Sequence, residues 1–294
     1  MTESKLKVVF IAGCGRSGTT ILGQLLGEFD NFVNIGEGVR YLFDRTKELP
    51  CGCGSSAFDC LFWKDIIRAI PEDLAARGAK LFRMRNFPSL FLHTKNGEVP
   101  QEYRAILATM GEAYRKVAKQ SGRTVIIDSS KGPTTALLAR MIPEIELHVI
   151  HVVRSPHSVV ASWTKKNGYL AVHPPQKVVA WWWAYNLLSE ALKWRADTYR
   201  LVRYEDFARN PSEVLQQITT DVTGSPLSMP FLSGNRATVH VQHSLAGNPS
   251  KFNTGEIKIT DGNRSADSGG KLLMNLVTFP LQRRYQYLPA AQKP

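Results

Sequence analysis

The stretch from Val8 to Phe29 constrains the fold more than any other part of the chain. Val8 to Ala12 is a short, continuous apolar run with β-branched residues, the pattern of a strand buried on both faces. It runs directly into Gly13-Cys14-Gly15-Arg16-Ser17-Gly18. From Thr19 to Phe29 the apolar residues Ile21, Leu22, Leu25, Leu26 and Phe29 then recur at helical spacing. The order strand, glycine loop, helix returns twice. Thr124 to Ile127 reads as a strand, Asp128 to Pro133 as a loop and Thr134 to Met141 as a helix; Leu147 to Val153, Arg154 to Pro156 and His157 to Thr164 repeat the pattern. Buried strands alternating with helices predict an α/β fold, a P-loop NTPase-like parallel sheet flanked by helices.

The rest of the chain fits around that frame. Its 294 residues, 43% of them apolar, suffice for a sizeable core, and with no internal repeat or clear linker we expect a single domain over 1–294. Residues from about 45 to 120 read as a helical insertion, including a helix over Gln101 to Gln120, placed over the carboxyl edge of the sheet as a substrate cap. Lys177 to Arg195 reads as a Trp-rich helix, the polar stretch Ser244 to Gly270 as a loop, and Leu272 to Tyr285 as a closing helix interrupted at Pro280. The net charge of +12 suits an anionic ligand, an acidic partner or a membrane surface. No block of Lys and Arg reads as a nucleic-acid tail. No run approaches the roughly 20 apolar residues of a membrane span, and the polar start has no signal-peptide core, so a soluble, cytoplasmic protein is expected.

The glycine loop has Walker A spacing, with Thr20 in the Ser/Thr position but Thr19 where the Lys should stand. Loss of that Lys argues against hydrolysis of ATP or GTP. The remaining device, backbone N–H groups folded inward and a helix N-terminus facing an anion, persists, and Arg16 adds a positive charge inside it. A second segment, His151 to Ser162, places Arg154 at the end of a strand and Ser162 two turns into the following helix. An Arg there can pair two N–H donors with phosphate oxygens.

These two segments together resemble the PAPS-dependent sulfotransferases (PAPS, 3′-phosphoadenylyl sulfate). Arg16-Ser17-Gly18-Thr19-Thr20 resembles the family's 5′-phosphosulfate loop, and Arg154 with Ser162 its 3′-phosphate motif. The resemblance implies PAPS as donor and PAP as product, with Gly15, Arg16, Ser17, Gly18, Thr19 and Thr20 holding the 5′ end and Arg154 and Ser162 the 3′ end. It further implies a small-molecule or carbohydrate hydroxyl as acceptor, and no metal. Gly247-Asn248-Pro249-Ser250-Lys251-Phe252 is similar to a stretch in bacterial-type members, which adds Asn248 and Lys251 to the donor-binding candidates.

In-line sulfuryl transfer needs a base for the acceptor hydroxyl and a cation for the departing phosphate. Gly36-Glu37 resembles a segment of tyrosyl-protein sulfotransferases, which implies Glu37 as the base; His93, His173, His240 and His243 are looser alternatives. Lys131, in Asp128-Ser129-Ser130-Lys131-Gly132-Pro133, resembles the family's leaving-group Lys, and Arg16 shares that work. A Walker B reading of Asp128 on Mg²⁺, with small-molecule kinase activity, is the rival. Asp128 is otherwise expected to orient Lys131 or to cap the next helix.

Cys51, Cys53 and Cys60 lie in a tight Cys-x-Cys loop that supplies no fourth zinc ligand, so a structural loop is expected ahead of zinc or a redox pair. Trp181, Trp182, Trp183 and Tyr185 point in different directions on one helix, so at most two can face a ligand. Tyr204-Glu205-Asp206 reads as structural, and Arg83, Arg85 and Lys95 as solvated charges or an acceptor entrance.

Overall fold

The computed structural model describes residues 5–45, 48–97, 99–166, 170–261 and 271–287. Its elements are, in chain order, β1 (Leu6–Ala12), α1 (Thr19–Leu26), β2 (Phe32–Gly36), α2 (Gly38–Phe43), α3 (Lys64–Arg68), α4 (Glu72–Leu81), α5 (Phe87–Asn96), α6 (Gln101–Ser121), β3 (Val125–Lys131), α7 (Pro133–Arg140), β4 (Ile145–Val153), α8 (Pro156–Trp163), α9 (Pro175–Ala191), β5 (Thr198–Arg203), α10 (Tyr204–Arg209), α11 (Pro211–Thr223), β6 (Leu232–Ser233), β7 (Arg236–Val239), β8 (Gly255–Lys258) and α12 (Lys271–Arg284).

β1 to β5 form one parallel sheet in the order β2-β3-β1-β4-β5, and its central strands β3, β1 and β4 are the ones the buried apolar runs predict. Alternation along each strand splits the core into two layers. From β1, Val8, Phe10 and Ala12 face the layer of α2 to α7, whereas Val9 and Ile11 face the layer of α1, α10 and α11. A third cluster, centred on Trp182 and Tyr285, joins α8, α9 and α12.

Four expectations need correction. The helices of residues 45–120 pack chiefly on one face of the sheet, and the part that reaches its carboxyl end is α4 with Phe82 and Arg83, beside Gly132 and Thr135. Trp63, Met110 and Tyr114 are fully buried in the layer on one sheet face, because an amphipathic helix such as α6 needs an apolar surface to cover and the sheet offers one. β3 continues through Lys131 instead of ending at Ile127, with a register shift against β1 between Phe10 and Ala12. The polar stretch after Ser244 contains β8, paired antiparallel with β7 in a second, three-stranded sheet; its 262–270 portion lies outside the described residues. Pro280 sits inside α12 without ending it. The carbonyl that Pro280 deprives of a donor belongs to Leu276, which is exposed, so water can serve it.

Candidate active site

Each strand of the parallel sheet delivers a residue to one cavity of about 1270 Å³. Beyond β1 comes Arg16, beyond β2 Glu37, at the end of β3 Lys131, beyond β4 Arg154 and beyond β5 Tyr204. This is the carboxyl end of an open α/β sheet, at the point where the strand order reverses beside β1, where such folds bind ligands.

The glycine loop is shaped by close approaches. Gly18 has φ 92°, and a Cβ there would come 2.1 Å from the Tyr204 ring. A Cβ on Gly15 would meet the Trp163 indole at 2.8 Å, and the same indole donates to the Gly15 carbonyl at 3.1 Å. Gly18 is followed directly by α1, with Thr19 and Thr20 on the cavity wall. Ser17 does not line the cavity; its hydroxyl is fully buried. Burial pushes the Cys14 thiol up to about 12, so this residue on the wall stays protonated.

The glycine loop and the segment after β4 meet through side chains. Arg16 donates from Nε to Ser162 Oγ at 3.0 Å and from a terminal nitrogen to the Ser162 carbonyl at 3.3 Å. Arg154 donates to the Arg16 carbonyl at 3.1 Å and to the Asp261 carbonyl at 2.7 Å. Its guanidinium lies 4.4 Å from the centroid of the Tyr204 ring, a cation–π contact of about 0.5–2 kcal/mol. The Tyr204 hydroxyl in turn donates to the Thr260 carbonyl at 2.8 Å. Glu205, its neighbour, accepts from the Ser155 N–H at 3.0 Å and so fixes the turn after Arg154. Tyr204 therefore belongs to the site, which the sequence reading missed. The signal was its place directly after a strand end.

On the same cavity wall Glu37 and Lys131 form an ion pair, each about one-eighth exposed, and Arg40 stands 3.5 Å from the other Glu37 oxygen. Glu37 occupies the residue before α2 but makes no side-chain cap, and its backbone N–H donates to the Leu245 carbonyl at 2.9 Å. Lys131 has φ 62°, an uncommon conformation for a side-chain-bearing residue, in keeping with the register shift that re-aims the strand end. Asp128 is not on the cavity wall. It accepts from the Tyr114 hydroxyl at 2.7 Å and the Ser130 N–H at 2.8 Å, and burial pushes its carboxyl up to about 6. It thus braces the turn that carries Lys131, instead of capping α7 or facing a metal.

Asn248 lines the cavity; its side chain accepts from the Ser250 N–H at 3.0 Å, and its own N–H donates to Thr20 Oγ1 at 3.4 Å. Lys251 does not reach the cavity. Its ammonium is buried against the Pro50 carbonyl at 2.6 Å, and burial lowers its pKa to about 8. The expectation that it holds the donor gives way to a packing role, because the short helical turn Pro249–Phe252 points it inward.

Of the four alternative histidines, His173 alone lines the cavity, packed against Trp163 and Trp181. His240 binds Glu28, His93 packs on Tyr103, and His243 lies beside the Cys-rich loop. Trp181 and Tyr185, one helical turn apart, are the members of the aromatic group on the wall, while Trp182 is buried with its indole N–H on the Arg154 carbonyl at 2.9 Å. Among the described residues of 45–120 only Glu48 and Leu49 reach this cavity, whose wall also takes in α2, α9 and the segment at 170–173. Arg83 lines a smaller neighbouring cavity of about 660 Å³ that also touches Arg40 and Tyr185.

A search of curated protein sequences finds no match. Among solved structures the chain is similar to the sulfotransferase domain of the olefin synthase of Synechococcus PCC 7002, at 17% identity, covering 97% of each chain with a TM-score of 0.59. It also matches sulfotransferase STF9 from Mycobacterium avium more loosely, at 11% identity over 94% of this chain and 76% of that one, with a TM-score of 0.45. The first likeness is one of fold, and it agrees with the P-loop-like sheet described above. A family model described as the sulfotransferase family matches residues 8–223, a span that takes in the glycine loop and all five strand ends on the cavity wall. By that match the chain belongs to the sulfotransferase family.

Proposed function

We propose that this protein transfers a sulfuryl group from PAPS to a hydroxyl of a small-molecule or carbohydrate acceptor, leaving PAP. The make-up of the cavity wall carries the reading: phosphate-type donors, Arg16, Arg154 and the N-terminus of α1, share one cavity with the Glu37–Lys131 pair. The loop from Gly15 to Thr20 and the start of α1 hold the 5′-phosphosulfate; Arg154 and Ser162, with Asn248 nearby, serve the 3′ end. The Arg16–Ser162 hydrogen bond couples the two halves of the donor site.

The acceptor oxygen attacks sulfur in line with the bond to the 5′-phosphate. That S–O bond breaks, and its electron pair leaves on the phosphate oxygen. Glu37 takes the hydroxyl proton, and Lys131 with Arg16 offsets the charge on the departing group. Lys131 occupies the Glu37 carboxylate before substrate binds, so an anionic donor that draws Lys131 toward itself frees the base at the moment it is needed. The acceptor lies between α2 and α9, where Trp181 and Tyr185 offer an apolar wall and Glu48 and Asp44 a polar one.

Replacing Glu37 with Gln tests the assignment. Turnover with PAPS should fall by roughly 10²–10⁴-fold, the usual contribution of a positioned base, while PAP affinity stays unchanged. A variant that keeps its turnover removes Glu37 from the chemistry.

A further inference from the structure

We propose that Cys51, Cys53, Cys60 and His243 form a structural zinc site, independent of the donor cavity. The sequence offers three sulfurs, and the fold brings in the fourth ligand from about 180 residues away. Cys60 Sγ and Cys51 Sγ lie 3.3 and 3.8 Å from His243 Nδ1, and Cys53 Sγ lies 3.7 Å from Cys60 Sγ. All four ligand atoms fall within 4.8 Å of one another. Zinc at about 2.3 Å from sulfur and 2.0–2.1 Å from nitrogen sets tetrahedral ligand separations of about 3.8 Å between sulfurs and about 3.5 Å from sulfur to nitrogen. The observed spacings therefore suit a tetrahedral ion. A disulfide instead needs sulfurs about 2.05 Å apart. Three soft thiolates and one imidazole favour zinc over oxygen-seeking cations, and a set of four protein ligands is the closed arrangement of a structural site.

The surroundings are built for the cluster. Gly52 leaves room for the strap bearing His243, since a Cβ there would meet the Gln242 carbonyl at 2.3 Å, and its N–H donates to the Ser244 carbonyl at 2.9 Å. Phe62 stacks parallel to the imidazole at 5.1 Å, and the Trp63 indole donates to the His243 carbonyl at 2.6 Å, so the ring is held with Nδ1 toward the sulfurs. Charge supplies a separate argument. Zinc with three thiolates and a neutral imidazole carries one net negative charge. Lys251, buried with its ammonium on the carbonyl of Pro50, the residue before Cys51, pairs with no carboxylate among the described residues. An anionic centre beside it offsets that buried cation, which the Cys51 and Cys53 sulfurs already face. None of the four ligands lines the donor cavity, but the strap continues into Leu245, which pairs beside Gly36 and accepts from the Glu37 N–H. The ion thus pins the segment that holds Glu37 from behind.

The test is elemental analysis of the untagged full chain, expressed with zinc and dialysed, together with cobalt substitution. One zinc per chain is expected, as are the intense visible bands of tetrahedral Co²⁺ with thiolate-to-cobalt charge transfer. Stripping the metal should lower Tm, and adding Zn²⁺ should restore it. Cys53→Ser, at the half-buried ligand, and His243→Ala should each weaken metal affinity by more than the roughly 10–100-fold that losing an outer-shell partner costs. If either variant fails to fold, the cobalt spectrum of the unaltered chain decides. Protein without stoichiometric metal and with a weak octahedral cobalt spectrum, an equivalent of iron in place of zinc, or two cysteines found oxidised to a disulfide would each overturn the proposal.

Discussion

Among the described residues four non-glycine positions have positive φ, and three of them, Arg16, Lys131 and Ala246, stand on the cavity wall. Such conformations cost on the order of 1–3 kcal/mol each and persist where surrounding structure enforces them, so their clustering here marks a site held under strain. A paired substitution separates strain from chemistry. Lys131→Gly and Lys131→Ala should both lose turnover, but the Gly variant should be more stable by about 1 kcal/mol in denaturant unfolding, because only it relaxes φ 62°. Asp128 gives a pH signature. Burial raises its carboxyl pKa from an ordinary value near 3.8 to about 6 in the folded state, so the folded protein holds the proton more tightly than the unfolded chain. Stability from this group is full at low pH and is lost as pH rises through about 4 to 6, by on the order of 3 kcal/mol. The stability of Asp128→Asn relative to the parent should therefore improve between pH 4 and pH 7.5; a constant difference across that range contradicts the assignment. Single residues were legible where a backbone device named them: Arg16 and Arg154 stood in loops whose flanking elements the sequence already showed. Tyr204 and Lys251 were not, because which way each side chain turns depends on Gly18 and Pro50, far away in the chain.

At the scale of elements, the strand-loop-helix units were readable because parallel strands buried on both faces leave unbroken apolar runs. β7 and β8 were not, since half-exposed strands of four residues in polar sequence carry little pattern. The position of the helical insertion also escaped, because amphipathicity says that α6 covers something apolar without saying which surface. The glycine loop makes the sharpest prediction here. Gly18→Ala forces a Cβ to within 2.1 Å of the Tyr204 ring at φ 92°, so donor binding should fall sharply in calorimetry. The double variant Gly18→Ala with Tyr204→Ala should recover little, because the backbone conformation remains unfavourable and Arg154 loses its ring. Full recovery would mean that the clash alone defines the loop.

The whole molecule places five strand ends around one cavity and carries a net charge of +12, which suits an anionic donor. Association with PAP should slow as salt rises, since screening weakens the attraction between the basic protein and its ligand. No helix among the described residues is long and apolar enough to cross a membrane. The central claim is a site built for a nucleotide bearing both 5′ and 3′ phosphates. Its most direct test is calorimetric titration with PAP, 5′-AMP and ATP in parallel, on the parent chain and on Arg154→Ala. PAP should bind most tightly, and the variant should lose about 10–100-fold of that affinity, as expected for a charge-assisted hydrogen bond of about 1.5–3 kcal/mol. ATP binding as tightly as PAP, or a variant that keeps the preference for PAP, would contradict it.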